Sequence, residues 1–282
     1  MPPPDRHLVR RGTTAQRTLV KLPNGATFGG DAVVLCAGPC SVESEEQIET
    51  TAAAVAAAGA SVLRGGAFKP RTSPYAFQGL GRNGLSLLRS AADRHRMGVV
   101  TEVLDPRDVE MVAGFADMLQ IGARNMQNFA LLREAAMAGK PILLKRGFAA
   151  TVDEWLMAAE YVLIAGNPNV VLCERGVRSF DSTTRNLLDV SVVPLLHEMT
   201  HLPVMVDPSH GTGVAQLVEP MSLAAVAAGA DAVMVEVHPD PAHAASDGPQ
   251  SLTPEQFAAL SRKLAEVASA IGRRVPELGI AV

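Results

Sequence analysis

Cysteine is scarce: Cys36, Cys40 and Cys173 are the only three in 282 residues. Three cannot staple a chain of this size, so a disulfide scaffold is excluded, and a reducing, cytoplasmic setting is expected. Long uncharged apolar runs are missing as well. The longest, Ala52 to Leu63, stops at Arg64, short of the ~18 residues a membrane-spanning helix needs. The opening MPPPDRHLVRR carries no apolar segment, so no secretory signal is expected. There is no basic excess: 25 Lys and Arg against 29 Asp and Glu give a net charge of −4, which argues against nucleic acid as a main partner. Aromatic residues supply only 4%, yet hydrophobic residues reach 48% and charged residues 19%. That is material for one large core, and it excludes global disorder.

From residue 31 onward, short β-branched runs alternate with longer Ala/Leu-rich stretches. The runs are Val33–Ala37, Ser61–Arg64, Val99–Val103, Met118–Ile121, Ile142–Lys145, Val170–Cys173, Val204–Val206 and Ala232–Val237. Each is continuously apolar rather than alternating, the pattern of parallel strands covered on both faces. The intervening stretches carry helix starts at Ser44-Glu45-Glu46, at Asp105-Pro106 and at a capping box, Thr151 with Glu154. Gly59, Gly98, Gly139, Gly166 and Gly229 supply stops, and a final helix is expected over 253–274. Eight β-then-α units predict a (β/α)₈ TIM barrel over residues 29–282, with a doubly wound open sheet as runner-up. Residues 1–28 read as an N-terminal extension. Within it, Thr18–Leu22 and Ala26–Phe28 flank Asn24-Gly25, a β-hairpin signal, expected to lie over the bottom of the barrel.

In such a barrel, function collects where the strands end. One set of ends carries Arg64, Lys69, Arg71, Arg124, Lys145, Arg146, Arg175 and Arg178. A mildly acidic chain that gathers so much positive charge at one mouth is suited to small, highly anionic ligands. A second set brings Cys40, His210, Glu236 and Asp247 from strands 1, 7 and 8 and the last loop. If strand 8 closes on strand 1, the four become neighbours. Their mixed soft and hard donors suit a divalent Mn²⁺, Fe²⁺, Co²⁺ or Zn²⁺ ion.

Other patterns mislead. Gly79-Leu-Gly81-Arg-Asn-Gly84 matches G-x-G-x-x-G but does not directly follow a strand. Asp207, Ser209 and His210 lie too close together to suggest a hydrolase triad. Cys36, Met111, Met118, Met126 and Met137 read as packing residues.

The segments AGPCS, RGGAFKPRTSPYAFQGLG, QIGARNMQN, LLKRG, CERG, DPSHGTG and MVEVHPDP with SDG resemble the 3-deoxy-D-arabino-heptulosonate 7-phosphate (DAHP) synthases. The resemblance is to the compact type I (beta) subgroup related to the octulosonate phosphate synthases, and it runs from about Asp31 to the final helix. It implies a metal-dependent, aldol-like condensation of phosphoenolpyruvate with erythrose 4-phosphate and water, the entry step of the shikimate pathway. It implies Cys40, His210, Glu236 and Asp247 as ligands of one divalent ion, manganese above all. It assigns Arg64, Lys69, Arg124, Lys145 and Arg175 to phosphoenolpyruvate, and Pro70, Arg71, Thr72 and Ser73 to the aldose phosphate. It places Glu102 near phosphoenolpyruvate and a bound water. On chemical grounds Lys69 is the candidate proton donor to the new hydroxyl, and the ion polarises the aldehyde. The group that activates the attacking water stays open, Glu102 through a water relay being one candidate. A homo-oligomer, dimer or tetramer, is implied too. No fused regulatory or chorismate mutase segment is visible, so feedback control is expected, if anywhere, through a partner such as chorismate mutase.

Besides a catalytically modified relative in secondary metabolism that uses an amino or otherwise altered aldose phosphate, two alternatives stay open at this point. One is 3-deoxy-D-manno-octulosonate 8-phosphate synthase, which takes arabinose 5-phosphate; its version of the Lys69–Ser73 loop carries Asn near the position of Pro70. The other is a non-catalytic barrel that binds phosphosugars.

Overall fold

The computed structural model of the chain describes residues 7–13, 17–69, 73 and 75–276. A short antiparallel ribbon comes first: β1 (Val20–Lys21) pairs with β2 (Thr27–Phe28) in the register Val20↔Phe28. Eight parallel strands then follow: β3 (Val34–Gly38), β4 (Val62–Arg64), β5 (Gly98–Glu102), β6 (Met118–Ile121), β7 (Ile142–Lys145), β8 (Val170–Glu174), β9 (Val204–Val206) and β10 (Ala232–Glu236). They pair in chain order, and β10 returns to β3, so the sheet is a closed barrel and not a doubly wound open sheet. Predicted strand ends agree to within one residue.

Helices α1 (Glu45–Ala57), α2 (Gly81–Arg94), α3 (Val109–Ala113), α4 (Phe129–Met137), α5 (Val152–Ile164), α6 (Val192–Met199), α7 (Pro208–Thr212), α8 (Ala215–Ala227) and α9 (Pro254–Ala270) cover the strands. Among the described residues none is long and apolar enough to cross a membrane. The start signals act as expected. Ser44 accepts from the Gln47 N–H, and Thr151 and Glu154 form a reciprocal capping box. Three details depart from expectation. The Asp105-Pro106 start makes a single 3₁₀ turn, and only five α-helical residues follow it. Gly98 lies inside β5, and Arg96, at φ +55°, makes the left-handed turn that ends α2. The last helix ends at Ala270, where Gly272 turns left-handed.

A strand's side chains alternate between faces, so each strand sends every second residue inward. The inward rows fill the barrel from the bottom with Val34, Cys36, Val62, Val100, Met118, Leu143, Val171, Cys173, Met205, Ala232 and Met234, and Val20, Leu22 and Phe28 of the ribbon pack onto them from below. Asn24 ties the ribbon's turn to the barrel by donating to the Ser61 carbonyl at 2.8 Å. The lower interior is therefore dry and filled, which confines chemistry to the top.

Phe28 is fully buried in that plug. Phe28→Ala is expected to lower stability by about 3–5 kcal/mol, read as a fall in guanidinium midpoint with little change in slope. An unchanged midpoint would show that the ribbon contributes nothing to the core.

Candidate functional site

Two residues beyond each apolar interior position, the same alternation sets a polar group at the top of the barrel. Val62 is followed by Arg64, Val100 by Glu102, Met118 by Gln120 and Leu143 by Lys145. Cys173 is followed by Arg175, Met205 by Asp207 and Met234 by Glu236. On β3 the row runs Cys36, Gly38, Cys40. Gly38 is obligatory there: at φ +150°, a Cβ would lie 2.1 Å from the Arg64 carbonyl oxygen.

Closure of β10 on β3 pairs Glu236 with Gly38 and so brings the four donor residues together. Cys40, His210, Glu236 and Asp247 each offer one ligand atom, and those atoms all lie within 4.8 Å of one another. Cys40 Sγ is 3.1 Å from Asp247 Oδ2, and His210 Nε2 is 3.3 Å from Glu236 Oε1. Asp207 caps α7 through the His210 N–H and binds His210 Nδ1 at 2.7 Å. That leaves Nε2 facing the other donors. Burial lowers the His210 pKa against the pull of Asp207 and Glu236, which favours the neutral imidazole. Burial pushes the Cys40 thiol up to about 12, helped by Glu236 and Asp247 and opposed by Lys69. A thiol of this kind stays protonated unless a cation takes the proton's place. One sulfur, one imidazole nitrogen and two carboxylates form a set that could hold a divalent metal ion.

Beside this cluster lies a cavity of about 170 Å³, lined by Arg64, Lys69, Glu102, Arg124, Lys145 and Arg175 among others. It is smaller than the ~300–1,000 Å³ typical of drug-sized ligands, and Gly79 and Gly84 lie outside its lining. The cations are held in different ways. Arg64 donates to Glu236 at 2.8 Å and Lys145 to Asp207 at 2.5 Å, both deeply buried. Burial pushes the Asp207 carboxyl up, but His210 and Lys145 outweigh it and hold its pKa well below the ordinary range. Lys69 Nζ lies 2.9 Å from both the Cys40 sulfur and its carbonyl. Arg124 and Arg175, among the described residues, form no ion pair with a carboxylate. Arg175 donates to the carbonyls of Gly176 and His210. Glu102 accepts from Gln120 at 3.3 Å and lies against Gly122, where a Cβ would come within 1.9 Å of its Oε1.

Some expected members are absent from the cavity. Arg146 follows Lys145, so alternation turns it outward; Glu174 at 3.0 Å and Asp189 at 3.3 Å pair it, and its guanidinium lies over Trp155. Arg178 is exposed and outside the cavity lining. Pro70, Arg71 and Thr72 lie outside the described residues, while Ser73 is exposed. Met137 is 67% exposed and is not a packing residue. Cys36, Met118 and Met126 are buried.

Other residues take part without having been singled out. Asp207 is legible in hindsight as the helix cap of the DPSH segment. Gln250 donates to Glu236 Oε2 at 2.5 Å and accepts from Arg185, which also reaches Asp247 at 3.3 Å. Phe148 lines the cavity and carries three guanidiniums around its ring. Nothing in the spacing of these last three marks them.

Residues 17–273 match the model of the DAHP synthetase I family. The chain is 50% identical over 268 residues to a phospho-2-dehydro-3-deoxyheptonate aldolase of Thermotoga maritima, which covers 95% of this chain and 79% of that protein. It is 31% identical over 282 residues to a 2-dehydro-3-deoxyphosphooctonate aldolase of Desulfotalea psychrophila, covering 92% and 99% of the two chains. The crystal structure of the Thermotoga maritima phospho-2-dehydro-3-deoxyheptonate aldolase (DAHP synthase) superposes with a TM-score of 0.93 at 49% identity, over 95% of this chain and 78% of the other. A truncated form of the 3-deoxy-D-arabino-heptulosonate 7-phosphate synthase of Thermotoga maritima gives a TM-score of 0.89 at 46% identity, over 95% and 98%. The barrel, its ordered strand-end motifs and these likenesses agree: the chain is an enzyme of the DAHP synthetase I family.

Proposed function

We propose that this enzyme condenses phosphoenolpyruvate with erythrose 4-phosphate and water, yielding 3-deoxy-D-arabino-heptulosonate 7-phosphate and inorganic phosphate at the entry to the shikimate pathway. The observation that carries the reading is the juxtaposition of a four-donor cluster, Cys40, His210, Glu236 and Asp247, with a cavity holding two arginines that pair with no acid among the described residues. The balance of likeness supports the four-carbon aldose. Identity reaches 50% with a heptonate aldolase but 31% and 35% with octonate aldolases of Desulfotalea psychrophila and Nitrobacter hamburgensis.

In this reading Cys40, His210, Glu236 and Asp247 hold one divalent ion, manganese being favoured. Such an ion supplies Lewis-acid activation of the aldehyde when bound. The chain's own groups do the rest. Arg124, Lys145 and Arg175 hold the phosphate and carboxylate of phosphoenolpyruvate, and Arg64 links that substrate to Glu236. Positioning two anionic substrates in contact is electrostatic work for fixed cations. Carbon 3 of phosphoenolpyruvate attacks the aldehyde carbon, and Lys69, beside Cys40, donates a proton to the new hydroxyl. Glu102, oriented by Gln120, accepts a proton from the water that adds at carbon 2. Collapse of the resulting hemiketal phosphate releases inorganic phosphate. Pro70, Arg71, Thr72 and Ser73 take the aldose phosphate.

The test is phosphate release by metal-stripped, Mn²⁺-reconstituted protein given phosphoenolpyruvate with either aldose. Turnover with erythrose 4-phosphate is expected; turnover only with arabinose 5-phosphate would move the enzyme to the sister activity, and silence with both would overturn the reading. Cys40→Ala should reduce Mn²⁺-dependent turnover by at least ~100-fold, since even residues behind a metal's ligands matter by 10–100-fold. Full activity in this variant would refute the four-donor assignment. Arg71→Ala should raise KM for the aldose phosphate by about 10–100-fold, the worth of one hydrogen bond to a charged group. An equal rise for phosphoenolpyruvate would break this division of the site.

A further inference from the structure

Apart from Lys69, held against Cys40, and Arg185, paired with Asp247, the cations around the cavity fall into two groups. Arg64, Lys145 and the outward-turned Arg146 are each balanced by a buried carboxylate, from Glu236, Asp207 and Glu174. Among the described residues, Arg124 and Arg175 are not. What they share is a ring: the guanidinium carbon of Arg175 lies 4.7 Å from the Phe148 centroid and that of Arg124 5.4 Å, with the exposed Arg178 at 5.0 Å. Three like charges around one side chain repel one another, so something must offset that repulsion. The ring's negative face does so in part.

We propose that Phe148 is a positioning residue for the anion pocket, holding Arg124 and Arg175 in place by its π-face so that their charge and N–H groups stay available to a phosphate; this rests on the phosphoenolpyruvate reading above. A carboxylate in the same place would also orient the two arginines. It would cancel their charge, however, and occupy the donor forks that a phosphate needs. A ring orients a guanidinium without consuming a donor. Burial lowers the Arg175 pKa against the pull of Asp207, and the hydrogen bonds Arg175 donates go to carbonyls.

The backbone that carries the ring is held on both sides. Gly147 precedes it, and its N–H contacts Met126 Sδ at 3.0 Å; a Cβ there would press on Ala150 and Met126 at 3.3 Å. The Phe148 carbonyl accepts from the Arg178 N–H, which ties the loop after β7 to the loop after β8. The ring therefore sits between the elements that carry the two arginines.

The experiment replaces Phe148 in the full-length protein with 3,4,5-trifluorophenylalanine, which keeps the ring's shape while weakening its negative face, and also makes Phe148→Leu and Phe148→Tyr. Binding of phosphoenolpyruvate and of inorganic phosphate is measured by calorimetry, and KM and kcat are measured in parallel. The fluorinated ring and Phe148→Leu are expected to weaken both anions by about 3–30-fold, the scale of one or two cation–π contacts. KM for phosphoenolpyruvate should rise in step, kcat and the aldose KM should hold within twofold, and Phe148→Tyr should bind like the parent. Should the leucine variant fail to fold, the fluorinated and tyrosine proteins still decide. Parent-like anion binding by the fluorinated protein would overturn this inference and leave the functional reading standing. A parent protein that binds neither anion would overturn both.

Discussion

The pairing of Glu236 with Gly38 across the β10–β3 seam is the contact on which the rest depends. It closes the sheet, and closure gives the strands a common inside. Once an inside exists, alternation along each strand decides which side chains share it. Below, those side chains are apolar and are plugged by Val20, Leu22 and Phe28. Above, they are Arg64, Glu102, Lys145, Arg175, Asp207 and Glu236, pointing into a space the core no longer fills. The seam also brings the first loop, with Cys40, against the last, with Asp247; 206 positions apart, the Cys40 sulfur and the Ser246 hydroxyl lie 3.0 Å from each other.

Charge balance inside this site follows from burial. An ion out of water must be paired, hydrogen-bonded or neutralised. Lys145 and Asp207 meet this demand together, and Asp207 passes the constraint to His210 by holding its Nδ1. Glu236 is held from both sides by Arg64 and Gln250. The pocket is thus a linked set, in which the groups that could hold a metal and those that could hold an anion share partners. Arg124 and Arg175 stand apart because a ring and carbonyl oxygens steady them in place of acids.

Much of this was legible in the chain itself. Largely apolar runs marked the strands to within one residue, since parallel strands covered on both faces confine their polar positions mostly to the strand ends. Caps at Ser44 and Thr151 were legible because they act within one helical turn. The termination of α2 was not: Arg96 adopts a left-handed turn that is ordinarily given to glycine or asparagine, and Gly98 is used as a strand residue. Lys145 and Arg146 are adjacent and similar in chemistry, yet one faces the cavity and the other packs on Trp155. Only the phase of the strand separates them.

The amino-acid order by itself determined the eight β-then-α units and the gathering of polar residues at the strand ends. Both rest on short-range periodicity, whereas the meeting of Cys40, His210, Glu236 and Asp247 waits on closure of β10 on β3. The tertiary structure alone decided which cations stay unpaired, that Gln250 and Asp207 hold the donor residues, and that Phe148 gathers three arginines around one ring. Apart from the Asp207–His210 cap, three positions long, these are relations between residues more than ten positions apart, set by strand phase and loop course once the barrel has closed. Local spacing carries no trace of the longer-range ones.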